Sequence, residues 1–218
     1  MKIFLNERSI EIVPCPQTPA TAADMVIESA DTMTIRESWE RFLKDIQLRR
    51  MVICEEGARD SRNRTPGEVF LSFFKPVAAA GGIVKNERGE YLFIRRMGMW
   101  DLPKGKIDRA DHLRAGSDGA NLTPERVAAI REVQEETGLR ELRIIRELNQ
   151  SRHIFYGKYR WIIKITSWFE MEGSSHDPLR PQESEKITEA RWIDPTDIDP
   201  VLSGSYASIR ELVTTSLF

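Results

Sequence analysis

The chain has 218 residues, 40% hydrophobic and 30% charged, enough for one generous domain or a typical domain plus a small module and ordinary for a soluble protein. No apolar run approaches the ~20 residues that span a bilayer, which excludes a helical membrane protein. A formal net charge of -2 argues against a dedicated nucleic-acid partner while leaving room for local basic patches.

The N-terminus turns polar after three apolar residues and lacks a secretory signal, so a cytoplasmic chain is expected. Its two cysteines, Cys15 and Cys54, have no zinc-like spacing and read as reduced thiols. Ile3, Phe4 and Leu5 face residues 10–13 across a polar turn, the pattern of a hairpin, which Pro14, Pro16 and Pro19 end. Helical patterns follow over residues 22–29 and 35–48, the second placing Trp39, Phe42, Leu43 and Ile46 at helical spacing. Residues 51–54 read as a strand and residues 55–64 as a polar loop. Thr65 and Pro66 then look like the N-cap and first residue of a short helix carrying Val69, Phe70, Phe73 and Phe74.

A change of character near residues 75–77 divides the chain into a small α+β module, 1–75, and a larger domain, 76–218. Residues 78–84 and 90–95 read as strands joined by the Asn86-Glu87-Arg88-Gly89 turn. Beyond them come a helix over 124–137, strands near 142–147, 153–156, 159–169 and 187–193, a polar loop over 170–185, and a terminal helix from about Tyr206. Strands mixed with a few helices imply an α/β fold with a mixed sheet between helices.

The helix over 124–137 carries the most chemistry. Thr123 and Pro124 fit its start and Gly138 its left-handed end. Glu132, Glu135 and Glu136 fall at i, i+3 and i+4, so their carboxylates share a face, with Glu125 two turns earlier and Ala128 and Ala129 leaving room for a ligand. Such neighbours repel by ~0.2 to 0.5 kcal/mol per pair, so they need a cation or good solvation. On spacing alone a solvated acidic face is the more ordinary explanation, ahead of a metal site. Oxygen-only ligands would favour magnesium first and manganese second.

Arg131-Glu132-Val133-Gln134-Glu135-Glu136-Thr137-Gly138-Leu139 resembles the second half of the Nudix box, and Trp100-Asp101-Leu102-Pro103-Lys104-Gly105-Lys106-Ile107 resembles the strand and loop with its opening glycine. The resemblance implies a Nudix-type α-β-α sandwich. In the family a glutamate lies eight positions before the arginine and pairs with it. Thr123 stands there in this chain, so residues 108–122 read as an insertion, and Asp118 or another inserted acid is a candidate substitute.

The same resemblance implies a Mg2+-dependent pyrophosphohydrolase, with Mn2+ possible. Glu135 and Glu136 would be metal ligands, Glu132 a ligand or base, Gly105 a carbonyl ligand, and Arg131 the residue that orients the cluster. Glu183 or Glu185 would supply a further catalytic acid from a later loop, and Arg95, Arg96 and Lys104 would meet substrate phosphates. The expected substrate is a phosphorylated small molecule, a nucleoside or dinucleoside polyphosphate, with diphosphoinositol polyphosphates and nucleotide sugars as alternatives. Two other classes stay open: a nucleotide-sensing Nudix domain without turnover, and a scaffold whose N-terminal module binds a partner or a second copy of the chain.

Overall fold

The structure, a computed structural model, describes residues 1–14, 24–117 and 122–217. In chain order it runs β1 (Lys2–Leu5), β2 (Arg8–Val13), β3 (Met25–Ser29), α1 (Thr32–Lys44), β4 (Arg50–Ala58) and α2 (Pro66–Leu71). Then come β5 (Lys75–Lys85), β6 (Tyr91–Arg96), β7 (Met99–Asp101), β8 (Lys104–Lys106), α3 (Arg109–Ser117) and α4 (Pro124–Thr137). β9 (Leu142–Glu147), β10 (Ser151–Tyr156), β11 (Trp161–Gly173), β12 (Ile187–Ile193), α5 (Ile198–Ser203) and α6 (Ala207–Leu217) complete it. No described helix is long and apolar enough to cross a membrane. The chain forms two compact units, Met1–Pro76 with Arg152–Ile163, and Val77–Ser151 with Lys164–Phe218.

In the first unit β1 and β2 form the expected hairpin, whose turn places Asn6 at φ 54°. β2 and β3 both run parallel to β4, and β10 joins β1 in parallel. α1 is capped by Asp31, whose carboxylate accepts the Thr34 N–H, and buries Ile35, Trp39 and Phe42 at i, i+4 and i+7. α2 opens on a full capping box between Thr65 and Glu68. Trp39 is the hub, with the rings of Phe42, Phe70, Phe74 and Trp161 5.3 to 6.3 Å away. Cys54 is a buried thiol of this core, and Cys15 lies outside the described residues.

The helix expected over residues 22–29 is instead β3, residues 22 and 23 lying outside the described part. Met25, Val26 and Ile27 pair in register with Met51, Val52 and Ile53, so sheet pairing prevails over a weak helical pattern. The polar loop expected over 55–64 is shortened because β4 continues to Ala58. β11 likewise continues to Gly173, inside the stretch expected as a loop.

The second unit is an α-β-α sandwich built by simple alternation. Adjacent residues Ile83 and Val84, Leu92 and Phe93, and Trp168 and Phe169 point to opposite faces. Val84, Leu92 and Phe169 pack with Ala128, Ala129 and Val133 of α4, whereas Ile83, Phe93 and Trp168 pack with α5 and α6 through Val201, Ile209 and Val213. β6 pairs antiparallel with β12 and β5, and β5 pairs antiparallel with β8. That last pairing fixes the site, because it sets Gly105 opposite Ala80 in front of α4.

Candidate active site

α4 has the ends the sequence predicts. Thr123 accepts the Arg126 N–H, Pro124 opens the helix, and Gly138 closes it at φ 80°, a left-handed geometry that suits glycine. Ala128 and Ala129 are fully buried against the sheet. They let the helix approach β5 and β11 closely and leave no room for a ligand, which corrects that part of the sequence reading.

At the end of α4, Arg131 draws Glu132 and Glu135 together, and Glu136 lies one helical turn beyond Glu132. Glu132 sits against Gly105 so tightly that a Cβ there would lie 2.0 Å from Oε2. Arg131 holds Glu132 Oε1 at 2.8 Å and Glu135 Oε2 at 3.0 Å through one terminal nitrogen. Its other nitrogens donate to both oxygens of Asp111, at 2.9 and 2.8 Å, and to the Lys106 carbonyl at 3.0 Å. One guanidinium thus ties α4 to α3 and β8.

Glu136 is 1% exposed, with Oε2 accepting the Lys104 N–H at 2.8 Å and Oε1 near Arg96 at 3.3 Å. Burial pushes its carboxyl up to about 7 against the pull of Lys104 and Arg96. Burial also raises Glu132, outweighing the opposing pull of Arg131. Two desolvated carboxylates side by side make a place where positive charge is wanted. Among the described residues, no three acidic, histidine or cysteine side chains form a ready cage for a cation. Glu132 Oε1 and Glu135 Oε2 are turned to Arg131, while Gly105 keeps its place beside Glu132 Oε2.

The expected phosphate-binding cations divide. Arg96 reaches the site and bridges Glu136 to Glu185, whose Oε2 lies 2.7 Å from its second terminal nitrogen. Glu185 is therefore the later-loop acid that Arg96 ties to Glu136. Lys104 is buried and its ammonium pairs with Asp101, so its charge is committed inside the protein. Arg95 is exposed and lies 5.9 Å above the Trp100 ring.

Two site residues escape the sequence reading. Lys164 of β11 is half-buried, and its ammonium has no hydrogen-bond partner among the described residues. Burial brings its pKa down to about 8, with Lys104 adding to the shift and Asp101 and Glu136 opposing it. Alternation places Lys164 on one face of its strand but does not say what that face meets. The second is Asp111, fully buried against Arg131. Burial alone would raise its carboxyl, yet Arg131 and the Asp108 N–H together hold it below its usual range. Asp108 and Asp111 also exchange backbone-to-carboxylate hydrogen bonds of 2.8 and 3.0 Å, which cap the start of α3.

A family model described as the NUDIX domain matches residues 75–213. The chain belongs to the Nudix family. It is a pyrophosphohydrolase of that family, and Asp111 is where its box departs from the pattern. Counted forward from Gly105, Asp111 holds the sixth position, where the family has its glutamate, so the acid is kept as aspartate and the extra residues fall between it and Arg131. Counting back from Arg131 finds only Thr123, the N-cap. Asp118 lies outside the described residues.

No curated protein matches the chain. Among solved structures it is similar to a Caenorhabditis elegans Ap4A hydrolase in a binary complex, at 22% identity over 63% of this chain and 93% of that one, with a TM-score of 0.44. It is similar to the MutT protein of Methanosarcina mazei at 21% identity, 65% and 93% coverage, and a TM-score of 0.45. The NUDIX domain of Shewanella oneidensis NrtR, complexed with ADP ribose, gives 14% identity, 66% and 88% coverage, and a TM-score of 0.45. These likenesses are too distant to carry an argument about substrate.

Proposed function

We propose that this Nudix protein hydrolyses a diphosphate bond of a nucleoside or dinucleoside polyphosphate with the help of a divalent cation, magnesium first. The observation that carries the reading is that Glu132 lies against Gly105 and Glu136 accepts the neighbouring Lys104 N–H, with Arg131 clamping Glu132 and Glu135 and Asp111 clamping Arg131. The donors are all hard oxygens, and burial leaves Glu132 and Glu136 short of positive charge, so this set fits magnesium or manganese. The carboxylates of Glu132, Glu135 and Glu136 and the Gly105 carbonyl would hold the ion. When bound, it would neutralise charge on the diphosphate oxygens and acidify a water.

The chain's own residues do the rest. Arg131 keeps the carboxylates aligned, so little reorganisation is needed when substrate arrives. Lys164 and Arg96 are the cations that would meet phosphate oxygens, Lys164 because no carboxylate among the described residues forms an ion pair with it and Arg96 by exchanging Glu185 for phosphate. Released in that exchange, Glu185 would take a proton from water. Lys104, turned inward to Asp101, positions Glu136 through its backbone N–H. Arg95, over Trp100, is left to the outer edge of the site. A cytoplasmic setting, with its supply of nucleotides and magnesium, belongs to the same reading.

The test is incubation of the purified chain with nucleoside and dinucleoside polyphosphates, nucleotide sugars and diphosphoinositol polyphosphates, with magnesium or with chelator, and product identification by mass spectrometry. Metal-dependent turnover of a nucleoside polyphosphate is expected, lost in folded Glu135→Gln and Glu136→Gln proteins. Tight nucleotide binding without product under any metal would replace this reading with that of a sensor.

A further inference from the structure

The first unit carries a surface that neither its core nor the hydrolase chemistry explains. β10 and β11 meet in a tight turn closed by the Gly157 N–H to the Arg160 carbonyl at 2.9 Å. On this short hairpin Phe155 is 39% exposed, Tyr156 61% and Tyr159 75%. Among the described residues only Tyr206 is another large aromatic as open as these. Three of the four exposed rings among the described residues thus lie within five residues, a cluster rather than singly scattered surface aromatics.

The rings are held in place. Tyr156 stands edge-on to Trp161 at 5.2 Å, and Trp161 stands edge-on to the buried Trp39 at 5.3 Å. The outer ring is therefore backed by a chain of aromatic contacts that reaches the core, which limits its rotamers before anything binds. Beside it lies a cleft of about 350 Å3, lined in part by Arg36, Trp39, Glu40, Leu43, Phe73 and Trp161. It is large enough for a heterocyclic base, and Arg36 and Glu40 offer donors and an acceptor to a base edge.

Charge decides the class of partner. The whole chain is slightly acidic, yet the sequence contains no aspartate or glutamate between Glu147 and Glu170, while Arg152, Lys158 and Arg160 alternate with the aromatic residues of the hairpin. Lys158 lies 5.0 Å from the Tyr159 ring, so a cation sits among the platforms. Protein interfaces are depleted in lysine at such central positions. Aromatic faces interleaved with cations suit a strand of bases and phosphates.

We propose that the hairpin of residues 152–161 binds single-stranded nucleic acid, with Tyr156 and Tyr159 stacking on bases and Lys158 and Arg160 meeting the backbone phosphates. Bases must be unpaired to stack, so a duplex cannot use the platforms.

The experiment is fluorescence anisotropy of the full chain with labelled oligouridylate and oligothymidylate of about 12 nucleotides. A duplex of the same length is the control, at about 50 and about 200 mM salt. Both single strands should bind, more weakly at the higher salt, and the duplex at least tenfold more weakly. Tyr156→Ala and Tyr159→Ala should each lower affinity about tenfold or more, the range that loss of one stacked base produces. Thermal unfolding of Tyr159→Ala should match the parent because that ring is exposed, while Tyr156→Ala gives up one edge-on contact with Trp161 and should melt slightly lower but still cooperatively. Lys158→Glu with Arg160→Glu should remove binding and its salt dependence. Equal affinity for duplex and single strand, unchanged affinity in the folded tyrosine variants, or no binding at the lower salt would overturn the proposal. Self-association through the hairpin without oligonucleotide binding would overturn it too, assigning the surface to a protein partner.

Discussion

Removing Asp111 tests the architecture of the site most directly. In Asp111→Ala, Arg131 loses two charge-assisted hydrogen bonds, of 2.9 and 2.8 Å, and α3 loses the acceptor for the Asp108 N–H. Breaking a buried ion pair by deleting one partner costs about 3 to 5 kcal/mol. Arg131 keeps Glu132, Glu135 and the Lys106 carbonyl, which reduces that cost by roughly half, and the lost cap adds back about 1 kcal/mol. The net of about 3 kcal/mol corresponds to a fall of roughly 6 to 12 °C in the melting temperature. Because Arg131 then swings toward the glutamates, metal-dependent turnover should drop about 10- to 100-fold, as when a residue supporting metal ligands is lost. Asp111→Asn keeps an acceptor for the cap and should lose less stability. Calorimetry and turnover of both proteins check this. An Asp111→Ala protein that melts within about 1 °C of the parent, or that keeps full turnover, would refute the brace.

Three further outcomes are expected. Gly105→Ala places a methyl on the Glu132 carboxylate and should cost about 1 to 3 kcal/mol in urea unfolding while abolishing most metal-dependent turnover, and an active Gly105→Ala protein would contradict the contact. In chelator, the stabilisation linked to Glu136, whose folded pKa of about 7 lies above 4.5, is complete below pH 4.5 and is lost as pH rises through about 7. The loss is on the order of 3 kcal/mol at most. Thermal melts across that range with magnesium and with chelator should converge at low pH and separate at neutral pH, and parallel curves would count against cation binding at Glu136. The contribution linked to Lys164 has the opposite sign, present above pH 10.5 and lost as pH falls through about 8. Lys164→Met should raise KM for the diphosphate about tenfold or more, with a smaller effect on kcat, the signature of a lost phosphate contact. An unchanged KM would remove Lys164 from the site.

Local chemistry carries much of this protein in plain view. Thr123, Pro124 and Gly138 bound α4, and the i, i+3, i+4 spacing of Glu132, Glu135 and Glu136 sets their common face, because capping and helical period depend only on near neighbours. The same holds for the α2 capping box and for the turn at Asn86, where the side chain accepts the Arg88 and Glu90 N–H groups.

Partners across the fold are a different matter. Asp111 meets Arg131 from 20 residues away, a pair that counting forward from Gly105 singles out, but Arg96 meets Glu136 from 40 and Glu185 from 89, and nothing in the sequence ranks these two pairs against their alternatives. The inward turn of Lys104 and the approach of Lys164 to the carboxylates depend on which strand lies beside which. Alternation cannot supply that in a sheet covered on both faces, where Trp168 and Phe169 are equally buried in different cores. Sequence periodicity says which residues share a face, and tertiary packing alone decides what that face meets.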